Sequence, residues 1–145
     1  RYHCVTGVQT CALPISALKG ETKTYPNTSY TYDDLRAAGV MVGSGALLVI
    51  DKRTSVIEFL RMNQEFFSDE SCGQCTPCRE GNLHIKIILD KIAAHTATAE
   101  DIRLMATIAT VMSMSSLCGL GETAQNTLQS AMLTFPEVFE VGGAE

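Results

Sequence analysis

Positive charge is scarce in this sequence: 11 lysines and arginines stand against 16 aspartates and glutamates, for a formal net charge of -5 over 145 residues. Such a chain has no basic field to draw in nucleic acid or anionic lipid, and no nucleic-acid partner is expected. Long apolar runs are missing as well. No stretch approaches the roughly 18 uninterrupted apolar residues of a membrane span, so direct membrane insertion is not expected either. A paired acid and base, an activated nucleophile and a complete phosphate loop are also lacking. Gly43-Ser44-Gly45 supplies only part of a three-glycine fingerprint and no helix opens on it, so it reads as a structural turn. What remains, 46% hydrophobic and 19% charged, is a globular chain long enough for one modest domain or for pieces of two.

The first residues stand apart. "VTGVQTCALPI", Val5 to Ile15, resembles the in-frame translation of a common sequencing adaptor, and it lacks the basic start and apolar centre of a signal peptide. On that reading Cys4 and Cys11 carry no role, residues 1–19 are non-native, and the native protein continues further upstream.

Beyond this segment the pattern is a short mixed region followed by helices. Thr31-Tyr32-Asp33-Asp34 is a cap-like start, Leu35 to Ala38 make one or two turns, and Gly39 is a stop. A turn then leads to a buried strand at Leu47–Ile50. From Thr54 to Ser68, residues Val56, Ile57, Phe59, Leu60, Asn63, Phe66 and Phe67 recur at helical spacing. A second helix is expected over Glu80 to Ala94, with Leu83, Ile87, Ile88 and Ile92 on its apolar side. Thr98 with Asp101 resembles a capping box and opens a third helix, which Gly119 and Gly121 end just after Cys118. The methionines of this helix read as core filler. A fourth helix is expected over Glu122 to Thr134, closed by Phe135-Pro136.

Three cysteines, Cys72, Cys75 and Cys78, follow one another at three-residue steps, with Cys118 far downstream. The C-x2-C-x2-C spacing lets one short loop wrap a compact metal–sulfur cube while backbone N–H groups face its sulfides. Gly73 removes a side chain where the backbone passes close. Four thiolates with no carboxylate or imidazole between the first three form a soft ligand set, suited to iron–sulfur or zinc. Structural zinc usually draws its ligands as two pairs, and here the split is three plus one. A disulfide pair fits the equal, close spacing poorly, and redox-active CxxC chemistry belongs to a βαβ setting. The pattern favours a [4Fe-4S] cluster. The N–H groups of Gly73, Gln74, Thr76 and Arg79 are candidate tuners of its potential. Arg79 either places positive charge near the cluster or is a helix-start residue paired with an acid. His84 and His95 read as solvated or packed rather than as ligands.

"ESCGQCTPCREG" together with "SLCGLGETAQNTLQSAMLTFPEVFE" resembles the C-terminal part of the flavin- and NADH-binding (51 kDa, F-type) subunit of respiratory complex I. The likeness extends to its relatives in NAD-reducing hydrogenases and NAD-dependent formate dehydrogenases, over about residues 30 to 140. The resemblance implies a mainly α fold: a four-helix bundle in which Cys72, Cys75, Cys78 and Cys118 ligate one [4Fe-4S] cluster. It also implies that the bundle, residues 53–140, follows the remnant of a β-grasp (ubiquitin-like) domain at 20–52 and precedes a tail at 141–145. The implied function is a one-electron relay from FMN to partner iron–sulfur subunits of an NAD(P)H-oxidising complex. FMN and NAD(H) would bind an N-terminal flavin domain not seen in this sequence, so the chain alone is expected to be inactive as an NADH dehydrogenase. Its implied location is cytoplasmic, or peripheral to the inner face of a membrane through its complex. The competing functional class is a zinc- or cluster-stabilised interaction module with no redox role.

Overall fold

The computed structural model describes residues 9–12, 16–18, 31–37, 48–50 and 54–140, and among these the chain is mainly α-helical. Three short strands, β1 (Gln9–Ala12), β2 (Ser16–Leu18) and β3 (Leu48–Ile50), form one antiparallel sheet in the order β2-β1-β3. Thr10 is opposite Leu18 on one side and Val49 on the other. The strand expected at Leu47–Ile50 is β3. Helix α1 (Tyr32–Ala37) begins as its sequence predicts, with the Thr31 hydroxyl accepting the Asp34 N–H at 3.2 Å and donating to the Asp34 carboxylate at 2.8 Å. The stop at Gly39, the turn at Gly43-Ser44-Gly45 and the tail at 141–145 lie outside the described residues.

Helix α2 (Val56–Glu70) is capped by Ser55, whose hydroxyl accepts the Glu58 N–H at 3.3 Å. It buries Ile57, Leu60, Asn63, Gln64 and Phe67 along one stripe. Phe66, expected on that stripe, is half exposed and meets Phe67 edge-on with ring centroids 5.4 Å apart.

Helix α3 (Thr76–Ala93) starts one turn earlier than the sequence reading placed it. The reason is Pro77: in the first turn of a helix its missing N–H is no loss and its fixed φ suits the helix, so the proline that looked like loop opens the element. The buried side of α3 is Cys78, Gly81, Asn82, Ile85, Ile88, Leu89 and Ile92. Leu83 and Ile87, expected there, are exposed. Each is two residues from Ile85, about 200° around the helix, which turns it to the outside. The helix ends with Ala94, then His95 at φ 56; the His95 N–H returns to the Ile92 carbonyl and the Thr96 N–H to that of Lys91. This is a Schellman closure with histidine where glycine is usual.

Helix α4 (Ala99–Ser115) opens on the expected capping box. The Thr98 hydroxyl accepts the Asp101 N–H at 3.2 Å, and the Asp101 carboxylate accepts the Thr98 N–H at 2.9 Å. Met105 and Met112 are fully buried core filler, whereas Met114 is exposed. The expected fourth helix is two pieces, α5 (Gly119–Thr123) and α6 (Asn126–Thr134). Gly119 and Gly121 therefore belong to α5 instead of ending α4. The break falls where the Gln125 side-chain amide donates to the Glu122 carbonyl, an acceptor that a continuous helix would offer to the main chain. Phe135 and Pro136 close α6, as expected.

Partners along the helices fix their direction. Gln64 meets Asn82, Glu65 meets Lys86 and Arg61 meets Asp90, so α2 and α3 are antiparallel. Gly81 lies against Met112 and Lys91 pairs with Asp101, so α3 and α4 are antiparallel too. Residues of α2, α3, α4 and α6 share one apolar core, from Leu60 and Ile85 to Met105, Met112, Leu128 and Ala131. No helix among the described residues is long and apolar enough to cross a membrane.

Candidate metal centre

The alternating helix directions gather three helix ends at one end of the molecule: the C-terminus of α2, the N-terminus of α3 and the C-terminus of α4. Cys72 lies exposed in the loop after α2, and Cys75 is the extended residue that begins α3. Cys78 is buried in the first turn of α3, and exposed Cys118 is the extended residue that begins α5. The three clustered cysteines are thus not all in a loop, as the spacing had implied. Two of them are held by a helix start.

Contact between the loop and the α4–α5 turn is direct. The Cys75 thiol is held below its ordinary value, first by the backbone N–H of Leu117 and then by that of Cys78. Smaller contributions come from its own N–H and the Ser116 hydroxyl, against an opposing effect of desolvation. Leu117 adjoins Cys118, so this contact brings the downstream cysteine's segment to the upstream loop. Ser116 Oγ is shielded from solvent and makes no hydrogen bond of ordinary geometry. A Cβ on Gly121 would fall 2.6 Å from Ser116 Cβ and Oγ and 3.0 Å from Cys78 Cβ, so α5 reaches Cys78 only because Gly121 carries no side chain. All four cysteines are free thiols. Among the described residues no three His, Cys, Asp or Glu side chains are grouped tightly enough to hold a single metal ion.

A sulfide-bearing cluster fits this donor set. The ligands are soft, main-chain N–H groups point at sulfur, and beside them a buried hydroxyl makes no hydrogen bond of ordinary geometry. Of the expected tuners, two are otherwise engaged: the Gly73 N–H donates to Ser71 Oγ at 3.3 Å and the Arg79 N–H to the Cys75 carbonyl at 3.0 Å. Gly73 has φ 73 and no atom within 4 Å of where its Cβ would be, so within the protein it serves the left-handed turn and not a close approach. Arg79 pairs with Glu80 at 2.9 Å and donates to the Gly73 carbonyl at 2.7 Å. It is the acid-paired helix-start residue, and it also braces the cysteine loop. His84 and His95 are both exposed.

Sequence reasoning missed three residues around Cys78. Asn82 Nδ2 donates to Cys78 Sγ at 3.3 Å, Ser71 Oγ lies 3.3 Å from the same sulfur, and Gln64 Nε2 holds Asn82 Oδ1 at 2.6 Å. The available signal was a polar residue one turn after Cys78, on the stripe otherwise filled by isoleucine and leucine. A cavity of about 620 Å³ opens at the opposite end of the molecule, lined by Ser55, Glu58, Ile92, His95 and Glu137 among others, with no cysteine in its wall.

A helical unit that carries four free cysteines at one end has the donor set of an iron–sulfur-binding region. The chain belongs to the family described as the NADH-ubiquinone oxidoreductase-F iron-sulfur binding region, which matches residues 58–142. It is 34% identical over 109 residues to the NADP-reducing hydrogenase subunit HndC of Solidesulfovibrio fructosivorans, covering 75% of this chain and 22% of that protein. It is 36% identical over 109 residues to the F-type subunit of the NADH-quinone oxidoreductase of Streptomyces coelicolor, covering 75% of this chain and 24% of that one. Among solved structures, an NAD+-reducing [NiFe]-hydrogenase in the air-oxidized state superposes with a TM-score of 0.75 at 28% identity, over 93% of this chain and 23% of that chain. The chain thus spans about a quarter of the length of the relatives it matches.

Proposed function

We propose that this chain is the iron–sulfur relay segment of an NAD(P)H-oxidising flavoprotein subunit, with Cys72, Cys75, Cys78 and Cys118 holding one [4Fe-4S] cluster in a four-helix bundle made by α2, α3, α4 and α6. The observation that carries this reading is the contact between the Cys75–Cys78 helix start and the Ser116–Gly121 turn. That contact brings a ligand set split three plus one in sequence to a common end of the fold. When bound, such a cluster supplies a reversible one-electron couple.

The protein's part is to hold, orient and shield. Pro77 and the first turn of α3 fix Cys75 and Cys78, while Arg79 braces the loop that carries Cys72. Cys78 is buried, whereas Cys72 and Cys118 are exposed, so one side of the site is insulated and the other is open to a redox neighbour. In the wider protein that neighbour is a flavin domain that binds FMN and NAD(H), with further iron–sulfur subunits beyond it. The hydrogenase and quinone-oxidoreductase relatives, both named as subunits, support this placing. The mixed region at 20–52 is then the remnant of a β-grasp domain and 53–140 the cluster domain. The expected location is the cytoplasm or the inner face of a membrane, reached through the complex. By themselves these 145 residues are expected to reduce no dye with NADH.

The test is iron, zinc and acid-labile sulfide per chain on anaerobically prepared protein, with an electron paramagnetic resonance spectrum after dithionite. Four irons, four sulfides and a reduced-cluster signal support the relay. One zinc without sulfide, in protein never stripped of its metal, overturns it in favour of a structural module.

A further inference from the structure

We propose that Gln64 and Asn82 act as a buried pair that sets the reduction potential of the group held by Cys78, by aiming one fixed amide N–H at its sulfur; this rests on the cluster reading above. Asn82 is 0% exposed and Gln64 3%, so both amides sit where water does not compete for their hydrogen bonds.

A side-chain amide can be turned either way round, but a main-chain carbonyl removes the choice here. The terminal Gln64 atom 3.3 Å from the Asn82 carbonyl oxygen faces a group that can only accept, so it is the NH2. That same NH2 lies 2.6 Å from one terminal atom of the Asn82 side chain, which must then be the acceptor Oδ1. The Asn82 NH2 is therefore left facing Cys78 Sγ, at 3.3 Å. Ser71 adds a second donor when Cys78 is a thiolate, because that sulfur can then only accept from the hydroxyl 3.3 Å away; the same oxygen accepts the Gly73 N–H.

A hydrogen bond donated to a thiolate strengthens as negative charge on the sulfur grows. The Asn82 N–H thus favours the reduced form of a bound cluster and raises its potential. Gln64 hydrogen-bonds to Asn82 and not to a cysteine, and it acts through Asn82 as a positioning residue. Asn82→Leu, close in volume, removes the donor and should disfavour the reduced form about tenfold, a fall of about 59 mV for a one-electron couple. Gln64→Leu frees the Asn82 amide to turn and should lower the potential by less. The double variant should fall no further than Asn82→Leu alone, because the second residue works only through the first.

The experiment is a mediated redox titration followed by electron paramagnetic resonance on the full 145-residue chain, each sample first assayed for iron and sulfide. A loaded Asn82→Leu chain at the wild-type potential, or additive shifts in the double variant, overturns the proposal and leaves the cluster reading standing. A wild-type chain that holds no iron and sulfide overturns the cluster reading and the proposal with it. Should Asn82→Leu fail to load, the wild-type chain grown with 15N-asparagine carries the test. Pulsed double resonance on its reduced cluster should show a coupled asparagine 15N and its exchangeable proton, and their absence overturns the proposal.

Discussion

Gly121 and Gly119 lie two residues apart in the same short helix, and the structure separates the effects of adding one methyl group to each. At Gly121 the new Cβ would be 2.6 Å from Ser116 Cβ and Oγ, closer than real Cβ atoms approach such neighbours, and 3.0 Å from Cys78 Cβ, a tight contact; at Gly119 nothing lies within 4 Å. Ser116 and Cys78 present atoms next to the main chain, so neither can swing aside as the end of a long side chain would. Overpacking of this kind costs about 1 to 3 kcal/mol, against a helical gain of at most about 1 kcal/mol for replacing glycine with alanine. With the full helical gain set against it, Gly121→Ala should lose up to about 2 kcal/mol. Gly119→Ala should be unchanged or gain up to about 1 kcal/mol. Urea denaturation of both variants beside the parent chain measures this, with iron content as a second readout. Gly121→Ala should load less iron because the methyl group pushes α5 from Cys78, and Gly119→Ala should load normally. Equal stability and equal iron in the two variants would refute the claim that α5 and the start of α3 are in close contact.

The remaining predictions concern the supporting fold. Ile85→Ala, at a position with no exposure, should cost about 2 to 5 kcal/mol, while exposed Leu83→Ala should change urea stability by no more than about 0.5 kcal/mol. His95→Gly relieves a side chain held at φ 56 and should raise stability by up to about 1 kcal/mol in the same assay. Thr98→Ala removes the cap of α4 and should cost about 1 kcal/mol. The Asp101 carboxyl is pushed down from 3.8 to about 2, first by the Lys91 ammonium and then by the Thr98 N–H and hydroxyl. Its folded value lies below its unfolded one, so its stabilisation is complete above about pH 4 and fades as the pH falls toward 2. Asp101→Asn should flatten that part of a stability–pH curve followed by circular dichroism, and an unchanged slope between pH 4 and 2 would count against the Lys91 contact.

Local signals carried much of this architecture. Thr98 and Asp101 predicted the start of α4 because a capping box is written within one turn of sequence, and the spacing of Cys72, Cys75 and Cys78 is what raises the proposal of a soft-metal site there. Where neighbours far along the chain decide, the reading went astray. Leu83 and Ile87 looked like core by composition, yet the direction from which α2 and α4 pack on α3 left them outside. Gly119 and Gly121 looked like a helix stop, because glycine's lack of a side chain can serve close packing as well as termination. Asn82 and Gln64 gave no signal of partnership, since their hydrogen bonds join positions 18 apart. Pro77 was the avoidable miss, a proline in the first turn of a helix.

The placement of the cysteines also bears on the order in which the chain can fold. Cys72, Cys75 and Cys78 belong to a single helical hairpin, α2 and α3, whose contacts are near in sequence and therefore quick to form. Cys118 arrives only after α4 has run back along α3 and α5 has settled against both. A chain ending after α3 would carry three of the thiols on the hairpin and never the fourth. On the proposed four-cysteine ligand set, completion of the site would mark the docking of the third long helix, and incorporation of the metal group would discriminate a finished bundle from a half-built one.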